Sequence, residues 1–165
     1  MDWWGADAMA DVFGSAKRSD VMSRIRSKGN KDTEQALMQL LRKNRISGWR
    51  RHVPIRLNVE KTQNSFNLKP EVMPDFVFRK ERVVIFVDGC FWHGCKKHSN
   101  LPVNNRSFWF KKLEGNKCRD RQVVKMLRLQ RWVVIRVWEH DLQQSRERRD
   151  MVEKRIVAYI SQALR

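Results

Sequence analysis

Long apolar runs are absent from this 165-residue sequence: it has no stretch of about 18 consecutive apolar residues, the length that a membrane-spanning helix needs. Acidic residues are scarce as well, since 18 Asp and Glu stand against 35 Lys and Arg, for a formal net charge of +17. Such a surplus favours a polyanionic partner through counterion release, and nucleic acid is the expected class. The excess is concentrated in residues 17–56, which hold twelve basic and three acidic side chains.

Cysteine is also rare, with three residues, an odd number that does not suit a disulfide framework. In a cytosolic setting such cysteines are more often metal ligands. The N-terminus shows no basic-then-apolar signal pattern, so we expect a cytoplasmic protein. Residues 1–16 have no clear period and are expected to form a flexible tail, whereas residues 17–165 are long enough for one domain with one core.

Hydrophobic periodicity predicts an α/β domain in which a mixed central sheet is flanked by helices. Strands are predicted over residues 52–57, 75–78, 83–87 and 132–138, a polar loop over 58–70, and helices over 19–26, 107–131 and 141–164. A further helix has apolar residues at 36, 37, 40 and 41 and is expected to follow a cap at Asp32 or Thr33. Gly115 allows a break in its helix, and Tyr159 is expected on the inner face of the last helix. The strand over 83–87 is apolar on both faces, as a central buried strand is.

One carboxylate stands at the start of a predicted strand. Asp75 follows Pro74, and the strand over 83–87 is the expected partner of the strand that Asp75 opens. A carboxylate at the edge of a sheet, beside a second strand, can hold Mg²⁺. By itself the Pro-Asp pair is weak evidence, because a solvent-exposed Asp at a strand start is the more common situation.

A stronger metal signal lies in the irregular segment that follows. Cys90, Cys95 and His98 place three soft or borderline ligands within nine residues, a set that suits tetrahedral Zn²⁺. A short irregular loop gains much of its order from such a metal. The fourth ligand must come from elsewhere: His140 is favoured, with Cys118 and His93 as competitors.

His93 lies inside this span and has two interpretations. It could bind zinc, or it could be the titratable base of a catalytic site, because imidazole suits proton transfer near neutral pH. Asp120 could orient that base or a metal-bound water, although an ordinary ion pair with Arg119 on a helix surface is the simpler reading.

Three aromatic residues stand in loop or polar-flanked positions: Phe91, Trp92 and Trp109. Aromatic side chains beside basic residues can wedge between base pairs or stack on bases. Core packing is the more frequent role of such residues, and Phe91 and Trp92 are the better candidates for DNA contact because their segment is irregular.

Taken in order, these motifs resemble those of the very-short-patch repair (Vsr) endonucleases. The resemblance covers residues 17 to 141, and its most specific part is the block from Val87 through Cys90, Phe91 and Trp92 to His93. The other matching segments are 18–28, 33–34, 74–76, 108–109, 116, 119–120, 132 and 137–139.

This resemblance implies a restriction-endonuclease-like fold of the PD-(D/E)xK superfamily, although the usual second carboxylate and lysine are absent here. It implies a Mg²⁺-dependent nick in double-stranded DNA, 5′ to the thymine of a T:G mismatch that arises when 5-methylcytosine deaminates. A monomer in the cytoplasm, associated with the nucleoid of a prokaryote, is the expected state. Functional links to a cytosine-5 DNA methyltransferase and to mismatch-repair and DNA-polymerase proteins are expected with it.

The resemblance also implies a role for each matching residue. Asp75 and the backbone carbonyl of Val87 would bind Mg²⁺, and His93 would be the general base, assisted by Asp120. Glu34 and Asn116 would lie in or near the network of metal-bound water. The implied zinc ligands are Cys90, Cys95, His98 and His140. The implied DNA contacts are Phe91, Trp92, Trp109, Met22, Arg24, Arg26 and Lys28.

The sequence departs from the family pattern at several places. Asp88 occupies a position that is histidine in some relatives, so its role stays open. The loop over residues 58–70 is longer than usual, and residues 1–16 have no recognised counterpart. Two rival functions remain: a nicking or restriction-type nuclease of the same fold without mismatch dependence, and a non-catalytic zinc-bearing DNA-binding protein.

Overall fold

The computed structural model describes residues 31–58, 69–98, 101–103, 105–143 and 145–163. Several sequence predictions therefore lie outside the described residues: the tail over 1–16, the helix over 19–26, most of the loop over 58–70, and the DNA contacts at Met22, Arg24, Arg26 and Lys28. No helix in the described ranges is long and apolar enough to cross a membrane.

One helix, five strands, a long helix, a sixth strand and two further helices follow one another along the described chain. In chain order they are α1 (Lys31–Lys43), β1 (Trp49–Arg51), β2 (Ile55–Arg56), β3 (Glu71–Val72), β4 (Phe76–Phe78), β5 (Val83–Asp88), α2 (Arg106–Leu129), β6 (Val133–Trp138), α3 (Glu139–Gln143) and α4 (Arg146–Ala163).

The central sheet has four strands in the order β1-β4-β5-β6. β4 runs antiparallel to both β1 and β5, whereas β5 and β6 are parallel and are connected through α2. The predicted α/β class with a mixed sheet is therefore confirmed. A separate two-stranded ribbon pairs β2 with β3.

The sheet is buried on both faces. On one face, Val83 and Ile85 pack with Leu37 and Leu41 of α1 and with Ile156 of α4. On the other face, Val77 and Val84 pack with Leu127 of α2 and with Ile55 and Leu57. The apolar run of β5 is thus explained, because both faces of this strand are covered.

Several boundaries differ from the sequence predictions. The strand predicted over 52–57 is shorter, because His52 adopts a left-handed φ of 51° that separates β1 from β2. β1 and β3 were not predicted as strands. Their two or three residues are too short to show a period, and only pairing with β4 and β2 defines them.

The helices differ as well. Asp32 and Thr33 lie within α1 instead of capping it, and α2 continues through Gly115 without a break. The final helix is divided into α3 and α4, because the Ser145 hydroxyl accepts the backbone N–H of Arg148 at 3.3 Å and begins a new helix. Tyr159 is 41% exposed, so its predicted place on the inner face is wrong.

Candidate active site and metal centre

The carboxyl end of β5 carries the first part of the site. Asp75, just before β4, accepts the backbone N–H of Val87 through its Oδ2 at 2.7 Å. The antiparallel pairing of β4 with β5 brings these two residues together. Burial raises the pKa of Asp75 to about 6, and nearby Glu34 adds to the rise, while the bond from Val87 opposes it. A cation bound beside Asp75 would offset the cost of ionising this carboxylate.

Glu34 and His52 surround Asp75. One ligand atom from each of the three residues lies within 4.8 Å of the others, close enough to share one metal ion. Glu34 is only 2% exposed; its Oε2 accepts from Arg51 and lies 3.0 Å from His52 Nε2, whereas its Oε1 is buried without a hydrogen-bond partner in the described chain. The two carboxylates, one of which has this unpartnered buried oxygen, provide the hard oxygen ligands that a divalent cation prefers.

His52 was missed by the sequence analysis. It stood at the start of a predicted strand, with no spacing that relates it to a carboxylate. The structure brings it to Asp75 because β1 pairs with β4, and the His52 N–H donates to the Asp75 carbonyl at 3.4 Å. Only this pairing could have revealed its position.

A second cluster joins Cys90, Cys95, His98 and His140, whose ligand atoms all lie within 4.8 Å of one another. The Sγ atom of Cys95 lies 3.7 Å from the Nδ1 atoms of both His98 and His140, and Cys90 Sγ lies 3.8 Å from His98 Nδ1 and 3.2 Å from His140 Nδ1. Of the candidates for a fourth ligand, His140 lies in the cluster, whereas Cys118 is exposed on α2. These four residues could hold one metal ion.

Burial shifts the pKa values of two of these ligands toward their uncharged forms. Burial raises the pKa of the Cys90 thiol to about 11, and the nearby Cys95 adds to the rise. Burial also lowers the pKa of His140, which favours the neutral imidazole that a metal requires. Glu139 accepts the Cys90 N–H at 3.0 Å, and Gly94 between His93 and Cys95 has a φ of +61°. Glycine adopts this left-handed conformation without steric cost.

His93 lies outside that cluster and faces Asp120 of α2 instead. Its Nδ1 is 2.6 Å from Asp120 Oδ2. Burial by itself would raise the pKa of Asp120, but the hydrogen bond with His93 and the charge of Arg136 outweigh it, and the pKa is lowered. This contact suits an Nδ1–H that donates to the Asp120 carboxylate, and in the neutral imidazole of that tautomer Nε2 is the acceptor.

Two further residues complete this arrangement. Asp88, at the end of β5, is 2% exposed and forms an ion pair with Arg136 of β6. Arg136 was missed by the sequence analysis, because it occupies an otherwise apolar strand where a single basic residue carries no motif. Asn116 donates its side-chain N–H to the carbonyl of Trp92 at 3.0 Å, and so holds the segment just before His93.

The aromatic residues form one cluster beside His93. The ring centroids of Phe91, Trp92 and Trp109 are 5.2 to 6.1 Å apart, and all three side chains are half-buried. Phe108 packs against Trp109 at 5.4 Å and is 59% exposed. The cluster therefore stands at the surface, where large apolar side chains are available to a partner.

A groove of about 1260 Å³ begins at His93 and Asp120 and runs along α2. Its basic lining residues outnumber the acidic ones and are Lys96, Lys97, Lys117, Arg121, Lys125, Arg128 and Arg136, against Asp88, Glu114, Asp120 and Asp141. The excess positive charge on this surface suits a phosphate backbone.

Comparisons with known proteins agree with this architecture. Residues 62–99 match the family model described as DNA mismatch endonuclease Vsr. A type II nicking enzyme of Lentzea aerocolonigenes is 46% identical over 71 residues, which are 43% of each chain. The chain thus spans less than half the length of that relative.

A type II nicking enzyme of Xanthomonas oryzae pv. oryzae is 33% identical over 136 residues, covering 81% of this chain and 88% of the relative. The DNA mismatch endonuclease Vsr of Escherichia coli is 42% identical over 69 residues, 40% of this chain and 43% of that enzyme. The chain belongs to the Vsr endonuclease family.

Proposed function

We propose that this protein is a Mg²⁺-dependent endonuclease that nicks double-stranded DNA 5′ to the thymine of T:G mismatches, as in very short patch repair. The observation that carries the proposal is the arrangement at the end of β5. Buried Glu34 and half-buried Asp75 lie on one side, and His93, which contacts Asp120, lies a few residues beyond the end of β5. We also propose that the mixed sheet and its flanking helices form a restriction-endonuclease-like core.

In this proposal the chain's own residues prepare a phosphodiester for attack by water. Asp75, Glu34 and the Val87 carbonyl would hold Mg²⁺, which when bound supplies charge neutralisation at the scissile phosphate. The acceptor Nε2 of His93 takes a proton of the attacking water as the bond from phosphorus to the 3′ oxygen breaks, and the leaving 3′ oxygen takes a proton from solvent. Asp120 keeps His93 in the required tautomer and stabilises the imidazolium that forms.

Mismatch recognition is assigned to the aromatic cluster. Phe91, Trp92 and Trp109 are proposed to insert beside the mismatched pair. A T:G wobble pair stacks less well than a Watson–Crick pair, so unstacking costs less there. Phe91 and Trp92 directly precede His93, so one loop carries both an inserting part of the cluster and the base, while Trp109 lies on α2. The basic groove along α2 supports a neighbouring role in backbone binding.

Zinc is the proposed occupant of the cysteine–histidine cluster. Tetrahedral zinc with bonds of about 2.3 Å to sulfur and about 2.0 Å to nitrogen places those two atoms about 3.6 Å apart. Three of the four sulfur–nitrogen distances in the cluster are 3.7 to 3.8 Å, so the donor set fits. The metal is structural in this proposal, because it fixes the loop that carries His93 and the aromatic residues.

The expected cellular setting follows from the same proposal. The enzyme acts as a monomer in the cytoplasm, at the nucleoid of a prokaryote. The T:G mismatch arises where a cytosine-5 DNA methyltransferase has acted earlier. Repair of the nicked strand then requires mismatch-repair and DNA-polymerase proteins.

The substrate is tested with a panel of matched duplexes containing T:G, T:A or C:G at one position, incubated with the protein and Mg²⁺. Nicking confined to T:G is expected, 5′ to the thymine. A second candidate, nicking without mismatch dependence, is favoured by the type II nicking enzymes among the relatives. Equal cleavage of the three duplexes would establish it. Binding without any nicking would instead support a zinc-bearing DNA-binding protein.

Metal analysis tests the zinc centre. The purified protein is expected to contain about one zinc per chain, bound by four ligands. His140→Ala is expected to lose most of this zinc, because only three ligands remain. Cys118→Ala is the matched control and should keep full stoichiometry, since Cys118 is exposed on α2. The ligand assignment fails if His140→Ala retains its zinc with wild-type affinity.

A further inference from the structure

The guanidinium group of Arg136 joins two carboxylates that are far apart in sequence. Its Nη2 donates to Asp88 Oδ1 at 2.6 Å and to Asp120 Oδ2 at 3.0 Å, and its Nε donates to the second oxygen of Asp88. Asp88 is 2% exposed and the Arg136 side chain is 28% exposed. A two-pronged bond to a buried carboxylate fixes the plane of the guanidinium.

Sheet register explains why these groups meet. β5 and β6 are parallel, with Phe86 paired to Arg136. Side chains alternate along a strand, so Asp88 shares the face of Phe86, and Arg136 lies on that face of the neighbouring strand. The same face is covered by α2, whose Leu127 packs in the cluster that includes Phe86. α2 carries Asp120, and the three residues therefore converge under one helix.

Arg136 offsets part of the negative charge that Asp88 and Asp120 bring to this group. Asp88 and Asp120 are both close to His93, with Nδ1 at 3.7 and 2.6 Å from their oxygens. Burial alone would lower the pKa of Arg136, but the bonds and charge of Asp88 outweigh it and raise it. Without the guanidinium, two neighbouring carboxylates would repel each other in a poorly hydrated place.

The contact between Arg136 and His93 is not itself a stable hydrogen bond. Arg136 Nη2 lies 3.1 Å from His93 Nδ1, but a guanidinium can only donate, and the Nδ1 proton is already directed at Asp120. Arg136 therefore acts on the histidine through Asp120: it fixes the oxygen that receives the Nδ1 proton.

We propose that Arg136, anchored by Asp88, is the positioning residue that holds Asp120 against His93 Nδ1 and so keeps His93 Nε2 available as the general base. This inference rests on the proposed nicking function for its kinetic consequence. It assigns a role to Asp88, whose carboxylate orients the guanidinium of Arg136 and does not itself contact the DNA.

The kinetic test compares Arg136→Gln with Arg149→Gln, which removes the same charge from an exposed position on α4. Single-turnover nicking by Arg136→Gln is expected to fall about 10- to 100-fold, the usual effect of losing a group that orients a catalytic side chain. Because Arg136 also lines the basic groove, the rate is measured at saturating protein, so that a change in Kd does not enter the comparison. A rate in Arg136→Gln equal to that of the control would overturn the proposal.

Conservative variants separate positioning from folding. Arg136→Lys keeps the charge, but one ammonium cannot reproduce the fork to Asp88, so a partial loss is expected. Asp88→Asn should lower the rate as well, and the Asp88→Asn/Arg136→Gln double variant should lose less than the two single losses combined, because the residues act as one unit. Fully additive losses would contradict a shared role. If Arg136→Gln does not fold, Asp88→Asn and Arg136→Lys provide the same comparison.

A spectroscopic measurement tests the positioning without any nicking. A hydrogen-bonded imidazole N–H gives a proton resonance at low field, and the His93→Gln variant identifies the signal that belongs to His93. We expect this resonance in the wild type and in Arg149→Gln, and its loss or shift in Arg136→Gln. An unchanged resonance in Arg136→Gln would refute the positioning role. A wild type that shows the resonance but nicks no duplex would refute the proposed function instead.

Discussion

Asp75→Asn is expected to abolish nicking and, at the same time, to make the metal-free protein more stable at neutral pH. Loss of a metal-binding carboxylate removes several kcal/mol of transition-state stabilisation, so a fall of about 10³-fold or more is expected in the single-turnover rate. The asparagine oxygen can still accept the Val87 N–H, which conserves the local backbone contact. The stability gain has a separate cause, the cost of ionising a buried carboxyl group.

The sign of that gain depends on the raised pKa. The pKa of Asp75 in the folded state is about 6, against an ordinary value of 3.8 for an aspartate, so the folded state binds the proton more tightly. The free energy of unfolding of the wild type therefore falls as the pH rises from about 4 to 6. Above pH 6 the full cost of ionising Asp75 in the folded state is present, at about 3 kcal/mol or less. Asparagine has no charge and avoids it.

Thermal unfolding measured without divalent metal checks the effect. The Tm of Asp75→Asn should exceed that of the wild type by several degrees at pH 8, and the difference should shrink toward pH 4. Mg²⁺ should raise the Tm of the wild type and not that of the variant. Asp150→Asn on α4 is the matched control. A lower Tm for Asp75→Asn at pH 8 would show that Asp75 stabilises the fold instead of holding a metal.

His93→Ala is expected to lower the single-turnover nicking rate by about 10²- to 10⁴-fold, because general-base catalysis contributes that much. Zinc content should not change, since His93 lies outside the cluster of Cys90, Cys95, His98 and His140. Affinity for the T:G duplex should also persist, because the aromatic cluster keeps its residues. Added imidazole should restore part of the rate by entering the space that the side chain vacates.

Gln122→Ala, on α2 two residues beyond Asp120, is the control for this experiment and should nick normally. Wild-type nicking by His93→Ala would exclude His93 as the base. Loss of zinc from His93→Ala would place His93 in the metal cluster, the alternative that its position between Cys90 and Cys95 left open.

Sequence spacing was most informative where the chemistry is local. Cys90, Cys95 and His98 lie within nine residues, so their separation along the chain already limits their separation in space. The aromatic block before His93 is local in the same sense. Burial of β5 on both faces could also be predicted, because five consecutive apolar residues do not suit a strand with one wet face.

Residues related through the sheet could not be predicted in this way. His52 approaches Asp75 only through the pairing of β1 with β4, and β1 is too short to show a period. Arg136 stands in an apolar strand, and only its ion pair with Asp88, which lies 48 positions earlier, shows where its side chain acts. A sequence pattern does not contain the register that brings two such strands together.

The sequence alone determined the class of fold, the local group of two cysteines and a histidine, the aromatic residues and the family resemblance, because each depends on composition or on neighbours along the chain. Tertiary structure decided which residue Asp88 pairs with and which further histidine lies beside the two cysteines. Pairing β5 with β6 places His140 beside Cys90, and the helix that covers one face of these strands carries Asp120 to His93. Contacts across a sheet depend on register and on packing, and those arise only when the whole chain buries its core.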